Sequence, residues 1–347
     1  MIRVGIAGLG FMGMTHYHAI KRLKGVRVDA IGTRDPKKLA GDWTSIQGNF
    51  GPRGGQEDLR RVRAYERLEE LLADPELDLI DITLPTARHL DVTLAALKAG
   101  KHVLVEKPIA LKLEEGRRMT AAAKKAGRKL FVAHVLPFFP DYAEARRIAA
   151  SGKHGKLLGA HFKRIISKPD WSAEARDHSR SGGPAIDLHI HDTHFIQLLF
   201  GVPKAVYARG IQAQGAMQYL ATNYLFADSN LAVSCASGSL SQRGRSFTHG
   251  FEIYLERGTL LYEWATLGGK PHAVMPLTLL TPDGKAAPVK TKGAGPEDAF
   301  AEEIRHCVEA LQGKHEGELL SADGALAALT LCYREIESAK TGKPVKV

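Results

Sequence analysis

Short apolar runs alternate with helix-period stretches over the first part of the chain. Val4 to Ala7 is an apolar run ending in glycine, and Thr15 to Leu23 carries helical spacing. Val26 to Ile31 predicts a second strand, Leu79 to Leu84 a third, His102 to Val105 a fourth and Leu130 to Ala133 a fifth. Between them Leu68 to Ala73, Ala87 to Lys98 and Glu114 to Lys125 predict helices, stopped by Asp74-Pro75, Gly100 and Gly127. Such alternation predicts right-handed βαβ units and a doubly wound parallel sheet of the Rossmann type, an α/β fold. Gly41 to Arg63, rich in glycine, interrupts the rhythm and reads as a long loop with no assigned role.

The pattern changes after a helix over Tyr142 to Ser151. Strand-like runs follow at Leu158 to Ile166, Ala205 to Ile211, Tyr219 to Phe226, Leu231 to Ala236, Phe251 to Leu255, Thr259 to Trp264 and Leu277 to Leu280. Turn signals such as Asp228-Ser229-Asn230 and Glu256-Arg257-Gly258 separate them. Strands joined by short turns predict a C-terminal α+β domain with a large open, mostly antiparallel sheet. Two helices close the chain, Asp298 to Leu311 and Ser321 to Ser338. The shift places two domains at 1–135 and 136–347.

Composition narrows the setting. Of 347 residues, 44% are apolar and 25% charged, which is ordinary for a globular protein. No apolar run approaches the ~18 residues of a membrane helix. The chain enters a strand at once from Met1, so a cytoplasmic protein is expected. Cys235, Cys307 and Cys332 are far apart, which argues against a disulfide framework or a cysteine zinc site. The net charge of +10 favours anionic partners. It is spread along the chain without a nucleic-acid motif, so a phosphorylated cofactor or acidic substrate accounts for its sign, as does a merely basic surface.

Candidate chemistry begins at Gly8-Leu9-Gly10-Phe11-Met12-Gly13, which matches G-x-G-x-x-G between a strand and a helix. Gly8 permits the turn, Gly10 lets backbone approach a pyrophosphate, and Gly13 lets helix and strand pack closely. At the end of the second strand, where NAD sites carry an acid, the chain reads Gly32-Thr33-Arg34-Asp35. Thr33 and Arg34 suit a 2′-phosphate, with Lys37 and Lys38 adding field. NADP is thereby favoured over NAD, which stays open through Arg34 stacking on adenine and Asp35 or solvent at the ribose.

Glu106-Lys107-Pro108 ends the fourth strand, where doubly wound sheets bind ligands. A second cluster runs Gly182-Gly183-Pro184-Ala185-Ile186-Asp187-Leu188-His189-Ile190-His191-Asp192-Thr193-His194. In one helix, Asp187, His191 and His194 share a face, and a carboxylate one turn from an imidazole supports proton transfer. A rival reading takes His189, His191 and His194 as zinc ligands. No metal is expected on the proton-transfer reading. Arg164, Lys168, Arg176, His178 and Arg180 raise an anionic sugar as substrate, with solvent-facing basic side chains as the alternative.

Together these motifs resemble the Gfo/Idh/MocA family (glucose–fructose oxidoreductase, inositol dehydrogenase, rhizopine catabolism). The Gly8–Gly13 fingerprint, Ile82-Thr83-Leu84-Pro85-Thr86-Ala87-Arg88-His89, Glu106-Lys107-Pro108, Gly182-Gly183 with Asp187-x-x-x-His191, and Ser338 to Val345 carry the resemblance. It implies an NAD(P)-dependent enzyme acting on a secondary alcohol or carbonyl of a sugar, polyol or related cyclic substrate. His191 would be the general base or acid, Lys107 would polarise the substrate oxygen, and Asp187 would support both. Leu84, Pro85, Thr86, His89 and Glu106 would line the cofactor, and Lys107-Pro108 is often cis. The second domain would bind substrate and mediate a homodimer or homotetramer through its sheet. Two alternatives stay open: glycoside cleavage through transient oxidation by tightly bound NAD, and a non-catalytic cofactor-binding protein. The chain departs from the family pattern at Thr33, in the length of Gly41 to Arg63, in lacking an arginine over Val135 to Pro140, and at Pro184.

Overall fold

The computed structural model describes residues 1–48, 50–167, 178–242 and 244–347, without the side chains of Ser179 and Arg180. Packing divides it into two units: Met1–Phe139 with Gly293–Leu326, and Pro140–Lys292 with Ala327–Val347. The division by composition at 135/136 follows chain order. The packing differs, because the segment from Gly293 to Leu326 folds with the first unit.

The first unit is built on strands β1 (Ile2–Ala7), β2 (Val26–Gly32), β3 (Arg63–Tyr65), β4 (Leu79–Ile82), β5 (His102–Glu106) and β6 (Leu130–Ala133). All pair in parallel, in the order β3-β2-β1-β4-β5-β6. The first three strands step outward one way and the last three the other, so the order reverses between β1 and β4. That is where a doubly wound sheet opens a crevice at its C-terminal strand ends. Strands β4 and β6 are buried throughout, as a sheet covered on both faces requires. The short edge strand β3 carries no apolar run, and the sequence pattern gave no sign of it.

Helix Pro296–Leu311 explains the return of the chain to this unit. Phe300, Glu303, Ile304 and Cys307 fall at helical spacing and are all buried, and the helix packs on helix Phe11–Lys21. The Gly41–Arg63 segment is also packed rather than loose. Trp43 is fully buried, meets the Tyr17 ring edge-on at 4.7 Å, and donates from Nε1 to the Lys38 carbonyl at 3.0 Å. Glu57 pairs with His18 and Lys21 at 2.9 and 3.1 Å. The segment thus covers the helix that the glycine fingerprint opens.

The second unit carries β7 (Leu157–Ser167), β8 (Ala205–Ala213), β9 (Ala216–Leu225), β10 (Ala232–Leu240), β11 (Arg245–Leu255), β12 (Gly258–Leu267), β13 (Lys270–Leu280), β14 (Ala286–Pro288) and β15 (Val345–Lys346). Their order is β14-β13-β12-β11-β7-β10-β9-β8-β15. Among the described residues only β7 and β10 pair in parallel; the other pairs are antiparallel, which agrees with the open sheet expected from sequence. Helices Pro184–Asp187 and Ile190–Phe200 pack on the sheet. The three cysteines are buried and unbridged. Among the described residues, no helix is long and apolar enough to cross a membrane.

His194 lies inside this packing, 1% exposed, and burial pushes its imidazole down to about 3. The unfolded chain takes up a proton at His194 near the ordinary value of 6.5, whereas the folded chain does not until about 3. Its contribution to stability is therefore full above pH 6.5 and is lost as pH falls below it, by about 1.4 kcal/mol per pH unit. Urea unfolding between pH 6.5 and 4.5 should show a slope shallower by that amount in His194→Leu. Equal slopes in both proteins would contradict a neutral buried imidazole.

Candidate active site

The glycine loop shows what each position must accommodate. Gly8 has φ +105°, and a Cβ there would lie 2.9 Å from the Leu84 side chain and 3.0 Å from the Thr83 carbonyl oxygen. A Cβ on Gly13 would stand 2.3 Å from the Gly8 carbonyl oxygen, so only glycine lets the helix begin this close to β1. Gly10 faces open space, with nothing within 4 Å of an added Cβ. It also occupies the N-cap of helix Phe11–Lys21 with no side-chain cap and no acid in the first turn. Phe11 and Met12, which follow it, are half-buried. Free N–H groups, a positive helix end and room beside Gly10 fit a pyrophosphate.

Two residues that the sequence reading left in the background brace this loop. Thr83 donates from Oγ1 to the Gly8 carbonyl at 2.7 Å. Lys38 donates from Nζ to the Leu9 carbonyl at 2.9 Å, which carries a cation to the edge of the loop. Neither contact could be read from spacing, because both depend on how β4 and the segment after β2 approach β1.

At the end of β2, Thr33 is half-buried and Arg34 exposed. Asp35 is committed locally: its carboxylate accepts the Lys37 N–H at 3.0 Å and caps the short helix Pro36–Leu39. The next acid after the vacant strand-end position is thus used for capping.

The segments after β4 and β5 are joined by His89. Leu84 and Thr86 are half-buried and Pro85 is exposed. His89 is 1% exposed, with Nδ1 3.0 Å from the Pro108 carbonyl oxygen and Nε2 3.0 Å from that of Leu84. It ties the two segments together through these contacts. Burial holds its imidazole below the ordinary value. Glu106 is buried, and its Oε2 accepts the Lys107 N–H at 3.1 Å. Lys107 is half-buried, and the Lys107–Pro108 peptide is cis.

Asp187 and His191 belong to the second unit, whereas Lys107 belongs to the first. The single helix expected across Asp187, His191 and His194 is interrupted. Leu188 and His189 form a turn, in which the His189 N–H reaches the Pro184 carbonyl at 3.0 Å. Asp187 is exposed and His191 half-buried, whereas His194 is buried.

The residues between them are structural. His189 is fully buried, with Nε2 on the Glu335 carboxylate and Nδ1 2.6 Å from Ser237 Oγ. Burial alone would lower its imidazole, but Glu335 raises it. With both nitrogens committed, His189 is removed from the zinc reading. Asp192 accepts from Arg164 Nε at 2.7 Å and from its second nitrogen at 3.1 Å, and both residues are buried. Arg164 is therefore an internal ion-pair partner rather than a candidate contact for an anionic sugar. His178 is half-buried, with Nε2 3.0 Å from the Gln218 amide nitrogen. Lys168, Arg176 and the Arg180 side chain lie outside the described residues. Elsewhere His306, His315 and Glu318 bring ligand atoms within 4.8 Å of one another, but the Gly317 N–H already occupies His315 Nδ1 at 3.0 Å.

Comparison with known proteins places this geometry. The model of an oxidoreductase family with an NAD-binding Rossmann fold matches residues 2–134, and the GFO/IDH/MocA C-terminal domain matches residues 142–261. The scyllo-inositol 2-dehydrogenase (NAD(+)) of Bacillus subtilis (strain 168) is 31% identical over 203 residues, covering 58% of this chain and 54% of its own length. The scyllo-inositol 2-dehydrogenase (NADP(+)) IolW of the same organism is 27% identical over 209 residues, covering 60% and 54%. The chain thus spans about half the length of the curated relatives it matches. The crystal structure of an aldose-aldose oxidoreductase from Caulobacter crescentus shares the fold with a TM-score of 0.80, over 100% of this chain and 99% of the other, at 22% identity. Two models of one family, matched in order along the chain, agree with the fingerprint loop on its six-stranded sheet: the chain belongs to the Gfo/Idh/MocA oxidoreductase family.

Proposed function

We propose that the chain is an NAD(P)-dependent dehydrogenase or reductase acting on a secondary alcohol or carbonyl of a sugar, polyol or related cyclic substrate. The observation that carries this reading is the uncapped helix N-terminus beside the open Gly10, at the point where strand order reverses. The names of the inositol dehydrogenase relatives support the substrate class. When bound, the nicotinamide supplies the hydride acceptor or donor. In oxidation His191 takes the hydroxyl proton while Lys107 stabilises the charge growing on that oxygen. Asp187 orients the pair, and the alcohol leaves as a carbonyl. A screen of sugars, sugar acids and inositols with both cofactors should find net dinucleotide turnover. Lys107→Ala and His191→Ala should each lower it by about 10²–10⁴-fold with cofactor still bound. Rates near wild type in both variants would remove these roles.

NADP is the favoured cofactor. Thr33 leaves the strand end without an acid, Arg34 is exposed beside it, and Asp35 is engaged as a cap. Thr33→Asp should lower the ratio of kcat/KM for NADP over NAD by about tenfold or more, since a carboxylate repels a 2′-phosphate and accepts from a ribose hydroxyl. A wild-type enzyme that already prefers NAD would overturn the assignment.

The assembly is a homodimer or homotetramer joined through the second unit's sheet. Tyr207, Asn223, Ser234, His161 and Glu252 form one cross-strand row on β8, β9, β10, β7 and β11. Leu225 and Tyr254 are 43% and 38% exposed and line a groove with members of that row. Sedimentation equilibrium should give two or four times the 37.8 kDa chain mass, and Leu225→Glu should shift it toward one. A wild-type mass of one chain at micromolar concentration contradicts the assembly.

A further inference from the structure

The first unit buries an ionisable cluster that cofactor binding does not by itself explain. His16 on helix Phe11–Lys21, Asp81 on β4, Glu106 at the end of β5 and Glu303 on helix Pro296–Leu311 are 0%, 1%, 7% and 0% exposed. His16 Nδ1 lies 2.9 and 3.1 Å from the two Asp81 oxygens. Its Nε2 lies 3.3 Å from Glu106 Oε1 and 4.0 Å from Glu303 Oε2. The imidazole thus has a carboxylate beside each nitrogen, a setting that favours the imidazolium, the form with an N–H on both. Burial opposes that charge, but Asp81 and then Glu106 raise the imidazole well above its ordinary value. Burial pushes the Glu303 carboxyl well above its ordinary value.

The cluster has a direction. Glu106 Oε1 faces His16, and its other oxygen, Oε2, accepts the Lys107 N–H. A chain of contacts thus runs from Asp81 through His16 and Glu106 to the backbone of Lys107. An apolar set of the same volume would hold the helix on the sheet with no charge to desolvate. It could not fix a carboxylate at a strand end.

We propose that His16 is a positioning residue for the nicotinamide end of the cofactor site. Its imidazolium pins the Glu106 carboxylate, which in turn holds the main chain at Lys107. This rests on the cofactor reading above. Asp81 keeps the imidazolium in place, and Glu303 stands farther off, 4.0 Å from Nε2.

The two ring nitrogens can be tested separately. An asparagine amide stands near the place of Nδ1, and a glutamine amide reaches toward that of Nε2. His16→Asn keeps the Asp81 contact and loses Glu106, whereas His16→Gln keeps a donor toward Glu106. The probes are NADPH and 2′-phospho-ADP-ribose, which lacks the nicotinamide, titrated calorimetrically into the full chain. His16→Asn should weaken NADPH by about tenfold, the scale of one hydrogen bond to a charged group, and leave 2′-phospho-ADP-ribose unchanged. His16→Gln should recover most of the loss. Equal weakening of both ligands, or equal behaviour of the two variants, would show that His16 only holds the helix and would overturn the proposal. Should His16→Asn not fold, Glu106→Gln is titrated with the same pair, and an unchanged ratio of affinities overturns it equally. Wild-type protein that binds neither ligand, nor NADH, would instead sink the cofactor reading.

Discussion

A backbone contact too tight for any side chain sets the first unit. Gly13 approaches the Gly8 carbonyl so closely that a single added carbon would stand 2.3 Å from that oxygen. This closeness lets helix Phe11–Lys21 begin at the strand end instead of a turn later. Its unpaired N–H groups then face the crevice where strand order reverses. Thr83 and Lys38 hold the loop through the Gly8 and Leu9 carbonyls, so the loop is fixed from two sides by elements distant in sequence. The buried Trp43 segment secures the same helix from outside. A long stretch that reads as irregular is therefore part of the support for the fingerprint.

Local pattern reached far into this fold, and its failures share a cause. Parallel strands such as β1 and β6 are buried for most of their length and announce themselves as short apolar runs. The strand-end motifs follow from those strands. Edge strand β3 has Arg63, Ala64 and Tyr65, none fully buried, so no run marks it. Helix Pro296–Leu311 has a clear apolar face, but periodicity says only that a face is buried, not against what. Its return to the first unit was thus invisible. Likewise the spacing of Asp187, His191 and His194 fits one helical face only if the helix is unbroken. A turn at Leu188–His189 interrupts it, with His189 buried on Glu335 and Ser237.

The same inward packing leaves the His-rich stretch unevenly buried. Of its three histidines and two aspartates, His189, Asp192 and His194 are buried, which leaves Asp187 and His191 nearer the surface. Sequence cannot sort these, since all five have the side chains of a catalytic or metal site. Burial does divide them. Arg164 with Asp192, and His189 with Glu335, are ion pairs whose desolvation is tolerable only because each group is satisfied by the other.

The two units therefore place ionic groups in comparable ways. In the second, buried pairs lie beneath the start of the helix that bears His191. In the first, His16 and its carboxylates lie beneath the strand end that bears Lys107. Such pairs contribute little net stability relative to apolar packing, but they tolerate only one geometry, because a displaced partner leaves a bare charge in a medium that solvates it poorly. A site that depends on donors held within a fraction of an ångström gains from supports that cannot relax gradually. Charge buried under both strand end and helix start thus holds those two backbones more narrowly than apolar packing alone would.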